Sequence, residues 1–442
     1  MILLHIGIDD TDSPRMGCTT YIAALLTEKL SVCGAEFIDY PRLIRLNPNV
    51  PWKTRGNGAV ALSISCPEDK IDRIKRAVLE VVEKNSDLEY PRTDPSVVFL
   101  EGNVPNDLTL FAKMAITGVV EKKLAFKLAE KYNAETHFFD GDRGVIGGLA
   151  AIGETLLNDH TFELLAYRTP ENRGSLRRVD ENSVFEMDKA TYPETFNNID
   201  YERRRVLITP RGPDPVLWGV RGESPEAVRK AHNLLISHEP IERWVIFVTN
   251  QATDAHLKYK SSISEVKPHH PVILEGEVSA NPKMITGRHV IFQLKDETGV
   301  IDCAAYEPTG TLRKVAGRLI VGDSVRVIGS VRPSSIDRPL TINLEKMEIL
   351  ELKPKVLYVN PVCPKCNSRM ESMGKGKGYR CRKCNFKSRE ATKERILMSR
   401  DLKPGLYISP PRSQRHLTKP FVRYGREKRT RNLKMVDCWH QP

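Results

Sequence analysis

The sequence predicts a multidomain α+β protein. Helical and strand-like periodicities alternate through the first 258 residues, the pattern becomes purely β between Pro268 and Leu352, and four cysteines in two C-x2-C pairs follow. At 442 residues the chain is long enough for two to four domains, each with its own hydrophobic core. Its composition, with 40% hydrophobic and 28% charged residues, is that of an ordinary globular protein.

Two mixed segments make up residues 1–258. In the first, the stretches LLHIGI, FIDYPRLIRL, AVALSIS and SVVFLEG predict strands, and apolar residues at helical spacing predict a helix around Leu25 and another ending near Asn85. In the second, helical patterns near 109–133 precede a glycine-rich stretch from Asp140 and the strand FELLAYR. The closing strand–helix–strand succession, from RVLITP to RWVIFVTN, is typical of a ferredoxin-like fold. No signal in the sequence places a boundary between the two segments.

Five short strand patterns and one short helix occupy residues 262–352. The helix, near residues 311–315, falls between the third and fourth strands, which is the order of an OB-fold barrel. Such barrels bind mainly single-stranded nucleic acid, and the stretch LKDETGVIDCAAYEP resembles the anticodon-binding type. A barrel that binds no nucleic acid is the alternative.

Four of the nine cysteines form the pattern C-x2-C-x14-C-x2-C. Each C-x2-C turn brings two thiolates together, and two such turns complete a tetrahedral zinc site with no open position, so the predicted role is structural. The expected ligands, in a zinc ribbon over residues 353–395, are Cys363, Cys366, Cys381 and Cys384. Disulfides are the alternative, which a reducing cytoplasm disfavours. We expect the other five to be reduced core thiols: Cys18, Cys33, Cys66, Cys303 and Cys438.

Charge is unevenly distributed along the chain. From Lys353 onward there are 24 Lys and Arg residues and 6 Asp and Glu residues, a net charge of +18. The preceding residues hold the remaining 44 basic and 50 acidic side chains, a net charge of −6. A near-neutral body with a strongly basic C-terminal fifth predicts a catalytic part joined to a part that binds a polyanion. A basic solubilising tail, in the extension over residues 396–442, is the alternative.

The apolar runs are all short. The longest, such as RWVIFV and HVIFQL, are far below the roughly 20 residues that span a bilayer. The N-terminus MILLHIGIDD has no basic region, and acids follow at once, which is unlike a signal peptide. We therefore expect a cytoplasmic protein that does not associate with membranes.

Three carboxylates, Asp9, Asp10 and Asp12, crowd the end of the first predicted strand in GIDDTDSPRMGCTTY. Gly17 and a helix whose first turn is Cys18–Thr20 follow. Like charges this close destabilise a fold unless a cation lies among them. Helix N-terminal amides and threonine hydroxyls suit phosphates, and the aspartates suit Mg²⁺ bridging to those phosphates, so the pattern predicts a nucleotide site. An Asx-turn and helix cap without a ligand is the alternative.

The sequence holds none of the common nucleotide motifs. There is no G-x-x-x-x-G-K-[ST], no Rossmann glycine triplet and no protein-kinase catalytic loop. Phosphoryl transfer at the aspartate cluster would therefore not follow a common template.

Four motifs lie in the first half of the chain: GIDDTDS…GCTTY, RLIRLNPNVPWKTRGNGAVAL (Arg42–Leu62), GDRGVIGGLAAIGETL and LWGVRGE. Together they closely resemble the archaeal tRNA-Ile2 2-agmatinylcytidine synthetases, the TiaS family. The OB region and the four-cysteine ribbon follow in that family's order, so the resemblance covers essentially the whole chain. It implies an atypical kinase-like α/β part and a ferredoxin-like part within residues 1–258. The extension after about Arg400 carries no motif that matches.

The resemblance implies a wobble-base modification. Such enzymes act on the isoleucine tRNA with a CAU anticodon, phosphorylate the 2-carbonyl oxygen of the wobble cytidine and replace that oxygen with agmatine. ATP leaves as AMP and two phosphates, and the modified tRNA decodes AUA. The implied substrates are ATP, agmatine and this tRNA, with Mg²⁺ and Zn²⁺ as metals and no obligate protein partner.

The functional residues of the family can be assigned to the matching motif positions of this sequence. The resemblance implies that Asp9, Asp10 and Asp12 bind Mg·ATP and that Thr19 is an autophosphorylated threonine. We expect Gly17 and Thr20, at the start of the helix, to contact the ATP phosphates. Arg55, beside the flexible Gly56-Asn57-Gly58 turn, could clamp a phosphate, with an ordinary surface arginine as the alternative.

Agmatine carries two cationic ends, so its pocket should supply carboxylates together with aromatic or carbonyl walls. The candidates, all in glycine- or proline-containing loops, are Asp140, Asp142, Asp214 and Glu223. Solvated loop acids are the alternative for each of them. Four histidines are expected to be structural: His5, His137, His232 and His256.

A non-catalytic nucleic-acid-binding protein, with an OB barrel and a zinc ribbon on a scaffold domain, is the competing hypothesis. It accounts for the C-terminal charge, the ribbon and the barrel. It does not account for carboxylates crowded before a helix, nor for the stretch NPNVPWKTRGNGA.

Overall fold

The computed structural model describes residues 1–432 and 434–442. Its first part alternates short helices with strands, as the periodicities predict. The elements are β1 (Ile2–Asp9), α1 (Thr19–Val32), β2 (Glu36–Phe37), β3 (Arg42–Arg45), β4 (Gly58–Cys66), α2 (Ile71–Asn85), β5 (Ser96–Glu101), α3 (Asn106–Thr117), α4 (Lys122–Lys131) and β6 (Glu135–Phe138).

The second part follows a β-α-β-β-α-β succession when only the strands of the large sheet are counted, since β9 and β10 form a separate two-stranded sheet; this confirms the predicted ferredoxin-like order. The elements are α5 (Val145–Gly153), β7 (Thr161–Arg168), α6 (Glu181–Thr191), β8 (Thr195–Phe196), β9 (Ile199–Asp200), β10 (Arg205–Val206), β11 (Val216–Gly222), α7 (Pro225–Leu234) and β12 (Ile241–Thr249). Helix α5 lies outside that succession and packs instead on the strands of the first part.

One continuous sheet joins these two parts, in the order β6-β5-β1-β4-β3-β12-β7-β11-β8. The join is a short parallel pairing in which Val248 and Thr249 of β12 lie beside Arg42 and Leu43 of β3. A single buried core extends through both parts, from Leu4 to Trp244 and beyond. The two parts therefore form one unit with a shared sheet and core, and residues from both parts reach the same end of the sheet.

The third part is a closed barrel, which confirms the OB-fold prediction. Its elements are β13 (Pro271–Ile285), β14 (His289–Lys295), β15 (Val300–Ala305), α8 (Thr311–Ala316), β16 (Ser324–Arg332) and β17 (Thr341–Glu351). The strand order is β15-β14-β13-β16-β17, and a parallel pairing of β15 with β17 closes the barrel. Helix α8 falls between the third and fourth strands, where the sequence places it.

The four cysteines lie in a small module on a two-stranded stalk. The stalk pairs β18 (Lys355–Val359) with β22 (Glu394–Met398), and between them lie β19 (Glu371–Ser372), β20 (Tyr379–Arg380) and β21 (Lys387–Ser388). After the stalk, β23 (Gly405–Ile408) adds to the barrel beside β17, and β24 (His440–Gln441) adds to the large sheet beside β12. The chain thus returns from the ribbon to the barrel and then to the large sheet.

Residues 409–442, here called the C-terminal segment, are packed against the body. Seven of their nine Lys and Arg residues pair with carboxylates that lie elsewhere in the chain: Arg412, Arg415, Lys419, Arg423, Arg426, Lys428 and Arg431. Most of the positive charge past residue 409 is therefore neutralised inside the molecule. The expectation that the whole basic C-terminal fifth faces a polyanion is corrected accordingly: the cations free to do so lie mainly in the ribbon.

Two other sequence expectations can be compared with the structure. Cys33, Cys66 and Cys303 are buried thiols as expected, whereas Cys438 is exposed, because it lies in the loop before the edge strand β24. Among the described residues, no helix is long and apolar enough to cross a membrane.

Arg423 anchors the C-terminal segment most deeply. Its guanidinium is fully buried, donates to Glu223 Oε1 at 2.6 Å and Asp159 Oδ1 at 2.8 Å, and also reaches the carbonyl oxygen of Ala252. Replacing Arg423 with Met should lower the free energy of unfolding by about 3 kcal/mol, because it removes the buried guanidinium that Glu223 and Asp159 share. Denaturant unfolding measures this loss. Arg429→Met, at an exposed arginine of the same segment, is the control and should change stability by less than about 0.5 kcal/mol. Equal stability of the two variants would contradict this anchoring role.

Candidate active site

A cavity of about 370 Å³ opens at the end of the sheet where β1 gives way to α1. Its wall is built from parts of the chain that are distant in sequence. Two loops contribute: the one after β1 that carries Asp10 and Asp12, here called the aspartate loop, and the one before β4. The strands of the ferredoxin-like part and His416 of the C-terminal segment complete the wall. The volume suits a small-molecule ligand. We call this cavity the chamber.

Asp9, Asp10 and Asp12 all line the chamber, but they point in different directions. Asp10 has a positive φ of 59°, which turns its carboxylate towards Asp94. Asp9, at the end of β1, lies against Gly147, where a Cβ atom would come within 1.8 Å of Asp9 Oδ2, so only glycine fits there. In the part of the chain that the structure describes, the carboxylate oxygens of the trio do not converge as closely as the four cysteine sulfurs do.

Burial and mutual repulsion make these carboxylates hard to ionise. Burial, the charge of Asp10 and that of Asp12 raise the pKa of Asp9 well above its ordinary value. Burial, then Asp94 and Asp12, raise the pKa of Asp10 to about 7. Burial also raises the pKa of Asp12, against the opposing charge of Arg55. A cation entering the chamber would relieve this repulsion.

Helix α1 starts at the chamber wall with its N-terminal amides free of side-chain caps. Thr19 is the first helical residue, and Cys18 precedes it as the N-cap. The Thr19 hydroxyl lies 3.0 Å from the hydroxyl of Thr11, and the Thr20 hydroxyl lies 3.1 Å from Cys18 Sγ. Thr19 and Thr20 thus present hydroxyls and unpaired amides at the positive end of the helix, an arrangement that suits phosphate.

Arg55 clamps the aspartate loop itself. Its Nη2 donates to the carbonyl oxygens of Ser13 at 2.9 Å and Gly17 at 3.0 Å, and its Nε lies 3.1 Å from Asp12 Oδ2. Its Nη1 lies 3.3 Å from Asp214 Oδ2. Gly17, with a φ of +83°, lets the loop fold back so that these carbonyls face Arg55. Arg55 is therefore not an ordinary surface arginine, and it positions the acids.

The chamber wall is also rich in cations. Arg45, Lys53, Arg143 and Arg221 all line it, and the buried carboxylate of Glu163 accepts from Arg221 Nε at 3.0 Å. The chamber therefore offers both acids and several cations. This combination suits a ligand that carries phosphates together with a metal ion.

Of the four agmatine candidates, the structure brings only Asp214 to the chamber. Its carboxylate lies between Arg55 and Arg177, and burial raises its pKa. Asp140 is exposed, and Asp142 pairs with Lys122 outside the chamber. Glu223 is buried in the ion pairs with Arg423 and Lys428, so it serves the anchoring of the C-terminal segment.

Sequence reasoning missed several chamber residues: Arg45, Trp52, Lys53, Arg143, Glu163, Phe196, Arg221 and His416. A signal existed for some of them. Glu163 is a carboxylate inside the apolar strand FELLAYR, and Arg45 and Arg221 are charges inside the motifs RLIRLNPN and LWGVRGE. Nothing in the sequence around His416 connects it to a site 360 residues earlier in the chain.

The four cysteines of the ribbon form a second site. Their sulfur atoms all lie within 4.8 Å of one another, with Cys363 and Cys384 at 3.5 Å and Cys366 and Cys381 at 3.4 Å. Tetrahedral zinc with bonds of about 2.3 Å holds its sulfurs about 3.8 Å apart, so the arrangement fits one zinc ion. The ion's role would be structural, since all four positions are protein thiolates.

Comparison with known proteins identifies the chain. Sequence models described as the TiaS TCKD domain, the TiaS FLD domain and the TiaS C-terminal zinc ribbon domain match residues 5–140, 142–256 and 360–402. An OB-fold nucleic acid binding domain matches residues 272–350. The tRNA(Ile2) 2-agmatinylcytidine synthetase TiaS of Thermococcus sibiricus is 46% identical over 96% of this chain and 96% of its own. The chain belongs to the TiaS family.

Solved TiaS structures share the whole architecture. The TiaS–tRNA(Ile2)–ATP complex superposes with a TM-score of 0.86 at 41% identity, covering 96% of this chain and 98% of that one. The TiaS–tRNA(Ile2)–AMPCPP–agmatine complex gives a TM-score of 0.84 at 39% identity with the same coverage. The match to the two TiaS domains places the boundary inside residues 1–258 near residue 141, between β6 and α5.

Zinc should hold the ribbon together without supporting the rest of the protein. We expect one zinc per chain by elemental analysis, and Cys381→Ser should lose it, because a structural site with three thiolates binds zinc far more weakly. The main thermal transition should stay unchanged, since the ribbon has a separate small core. Cys438→Ser, at an exposed thiol outside the ribbon, is the control and should keep its zinc. Retention of zinc by Cys381→Ser would contradict this assignment.

Proposed function

We propose that this protein is an ATP-dependent ligase that joins agmatine to C2 of the wobble cytidine of tRNA-Ile2, whose anticodon is CAU. The products are 2-agmatinylcytidine, AMP and phosphate, and the modified tRNA decodes AUA. The observation that carries the proposal is the chamber: buried acids, a free helix N-terminus with Thr19 and Thr20, and a cationic wall meet there, in a chain 46% identical to a named TiaS. A non-catalytic nucleic-acid-binding protein would need none of these features.

The acids suit magnesium. Mg²⁺ is usually held by one or two carboxylates together with substrate phosphates, so the three aspartates need not converge as zinc ligands do. Asp9 and Asp10 face the chamber with raised pKa values, while Asp12 is shared with Arg55. When bound there, the ion would neutralise charge that develops on the transferred phosphoryl group.

The chemistry requires activation of an inert oxygen. A carbonyl oxygen of cytosine is a very poor leaving group, and phosphorylation converts it into a phosphate that can depart when the amine of agmatine adds to C2. The free amides of α1, Thr20 and the cationic wall of Arg45, Lys53 and Arg221 would hold the triphosphate. Asp214 is the proposed carboxylate for one cationic end of agmatine, since it is the only one of the four sequence candidates in the chamber wall.

The barrel and the ribbon would capture the tRNA. The ribbon keeps exposed cations such as Lys375, Lys377 and Lys383, whereas those of the C-terminal segment are mostly paired within the protein. Phosphate contacts from such cations make affinity fall with salt. The protein therefore divides the work between a nucleotide chamber and a nucleic-acid-binding face.

Replacing Asp10 with Asn tests the proposal. The variant keeps the shape of the side chain but loses a metal-binding charge, so AMP formation with tRNA, agmatine and Mg·ATP should fall by about 100-fold, equivalent to about 3 kcal/mol. The tRNA affinity in filter binding should be unchanged. Asp69→Asn, at an exposed acid near α2, is the control and should match the wild type. Wild-type protein that forms neither AMP nor agmatine-labelled tRNA would refute the function; full activity of Asp10→Asn would refute the metal assignment alone.

Thr19 is the proposed acceptor of a phosphoryl group from ATP, because its hydroxyl lines the chamber at the helix N-terminus. Incubation with Mg·ATP should add one phosphate, which peptide mass spectrometry should locate on Thr19. Thr19→Val should fold, since losing the hydrogen bond to Thr11 costs about 1 kcal/mol, and should carry no phosphate. Thr27→Val, two turns further along α1, is the control and should be labelled as in the wild type. A phosphate on Thr11 or Thr20 would contradict the choice of Thr19.

A further inference from the structure

His416 comes from the far end of the chain yet lines the chamber. It lies in the C-terminal segment, and its backbone carbonyl oxygen accepts from the amide of Ala252 at 2.8 Å. The next residue, Leu417, is fully buried, and its carbonyl oxygen accepts from Asp254 at 2.8 Å. The backbone that directly follows the imidazole is thus fixed to the end of the ferredoxin-like part.

One edge of the imidazole makes polar contacts, and the other edge packs against a loop. Its Nδ1 lies 2.9 Å from Arg221 Nη2 and 2.9 Å from Gln251 Oε1. Arg221 and Gln251 both bind the buried carboxylate of Glu163, so the groups that hold the ring are themselves fixed. Burial and the charges of Arg45, Arg221 and Lys53 hold the pKa of His416 well below its ordinary value, so the ring is neutral at pH 7.

The other edge of the ring lies against Gly56. A Cβ atom on Gly56 would come within 2.9 Å of both Nε2 and Cδ2 of His416, and within 2.8 Å of Arg45 Nη1. The ring therefore touches the backbone of the loop that carries Arg55. Since Arg55 holds Asp12, Asp214 and the carbonyl of Gly17, a shift of this loop would move the groups around the nucleotide.

We propose that His416 is a positioning residue for the reaction: the C-terminal segment presses its imidazole onto Gly56 and so fixes Arg55 over the aspartates. The inference rests on the proposed function and assigns one further residue a role in it. The C-terminal segment is then a component of the chamber as well as a fastening between barrel and catalytic region. Its seven ion pairs to other parts of the chain explain why the ring can be held so rigidly.

The contact between His416 and Gly56 can be tested by a double-mutant cycle in the full-length protein. His416→Ala should lower kcat/KM for ATP by roughly 10- to 100-fold, as expected when a catalytic group is misplaced by about 1 Å. The tRNA affinity and the melting temperature should stay near wild-type values. Gly56→Ala should also lower kcat/KM, because its methyl group pushes on the ring. In the double variant the loss should be much smaller than the product of the two single losses, since the ring that the methyl displaces is gone.

Controls separate this inference from the proposed function. His238→Ala, at an exposed histidine outside the chamber, should match the wild type, and both should form AMP and agmatine-labelled tRNA. If they do not, the proposed function fails, and the positioning role that rests on it fails with it. Should His416→Ala unfold, His416→Asn keeps polar atoms near Arg221 and Gln251 while removing the part of the ring that touches Gly56, and should show the same loss. Activity of the His416 variant within twofold of wild type, or single losses that simply multiply, would overturn the proposal.

Discussion

Repulsion among buried carboxylates is the constraint on which the chamber depends. Asp9, Asp10 and Asp12 stand at the end of β1, where the sheet gives way to α1, and Asp94 faces them from the next strand region. Without compensating groups, the repulsion within such a cluster opposes folding, and many of the neighbouring groups offset this repulsion. Arg55 binds the loop through two carbonyl oxygens and the carboxylate of Asp12 and also pairs with Asp214 before β11, and the positive end of α1 faces the same space. The cluster still carries uncompensated negative charge, and the cation of the proposed metal–nucleotide complex would neutralise it.

A second set of charges explains how three distant parts of the chain form one chamber. The C-terminal segment is fastened by buried ion pairs, among them Arg423 with Glu223, Arg412 with Asp200 and Arg431 with Asp39. Buried pairs contribute little to net stability compared with apolar packing, but they specify geometry, since any other placement leaves charges without partners. Their place in the fold is consistent with that role, because they position the segment that carries His416.

The sequence predicted local features better than long-range ones. Periodicity located the strands and helices, the OB order and the cysteine module, because each of these is encoded within a short stretch. The parallel pairing of β3 with β12, which merges two parts into one sheet, joins residues about 200 positions apart and leaves no local signal. The same holds for the C-terminal segment: its charge looked like a nucleic-acid-binding surface until the structure placed its partners. In the chamber, the aspartates and Thr19 were predicted from their crowding and the motif, whereas Glu223 was misplaced because a buried ion pair and a ligand site require the same residue type.

The central claim is that a cation bound with the nucleotide relieves the carboxylate cluster. Calorimetry of preformed Mg·ATP binding near pH 7, in two buffers with different ionisation enthalpies, measures the protons released. Since the pKa of Asp10 is about 7 and that of Asp9 is also raised, binding should release about half a proton or more per chain. The release should fall in Asp10→Asn. Tight Mg·ATP binding that releases no protons, equally in wild type and variant, would contradict the account.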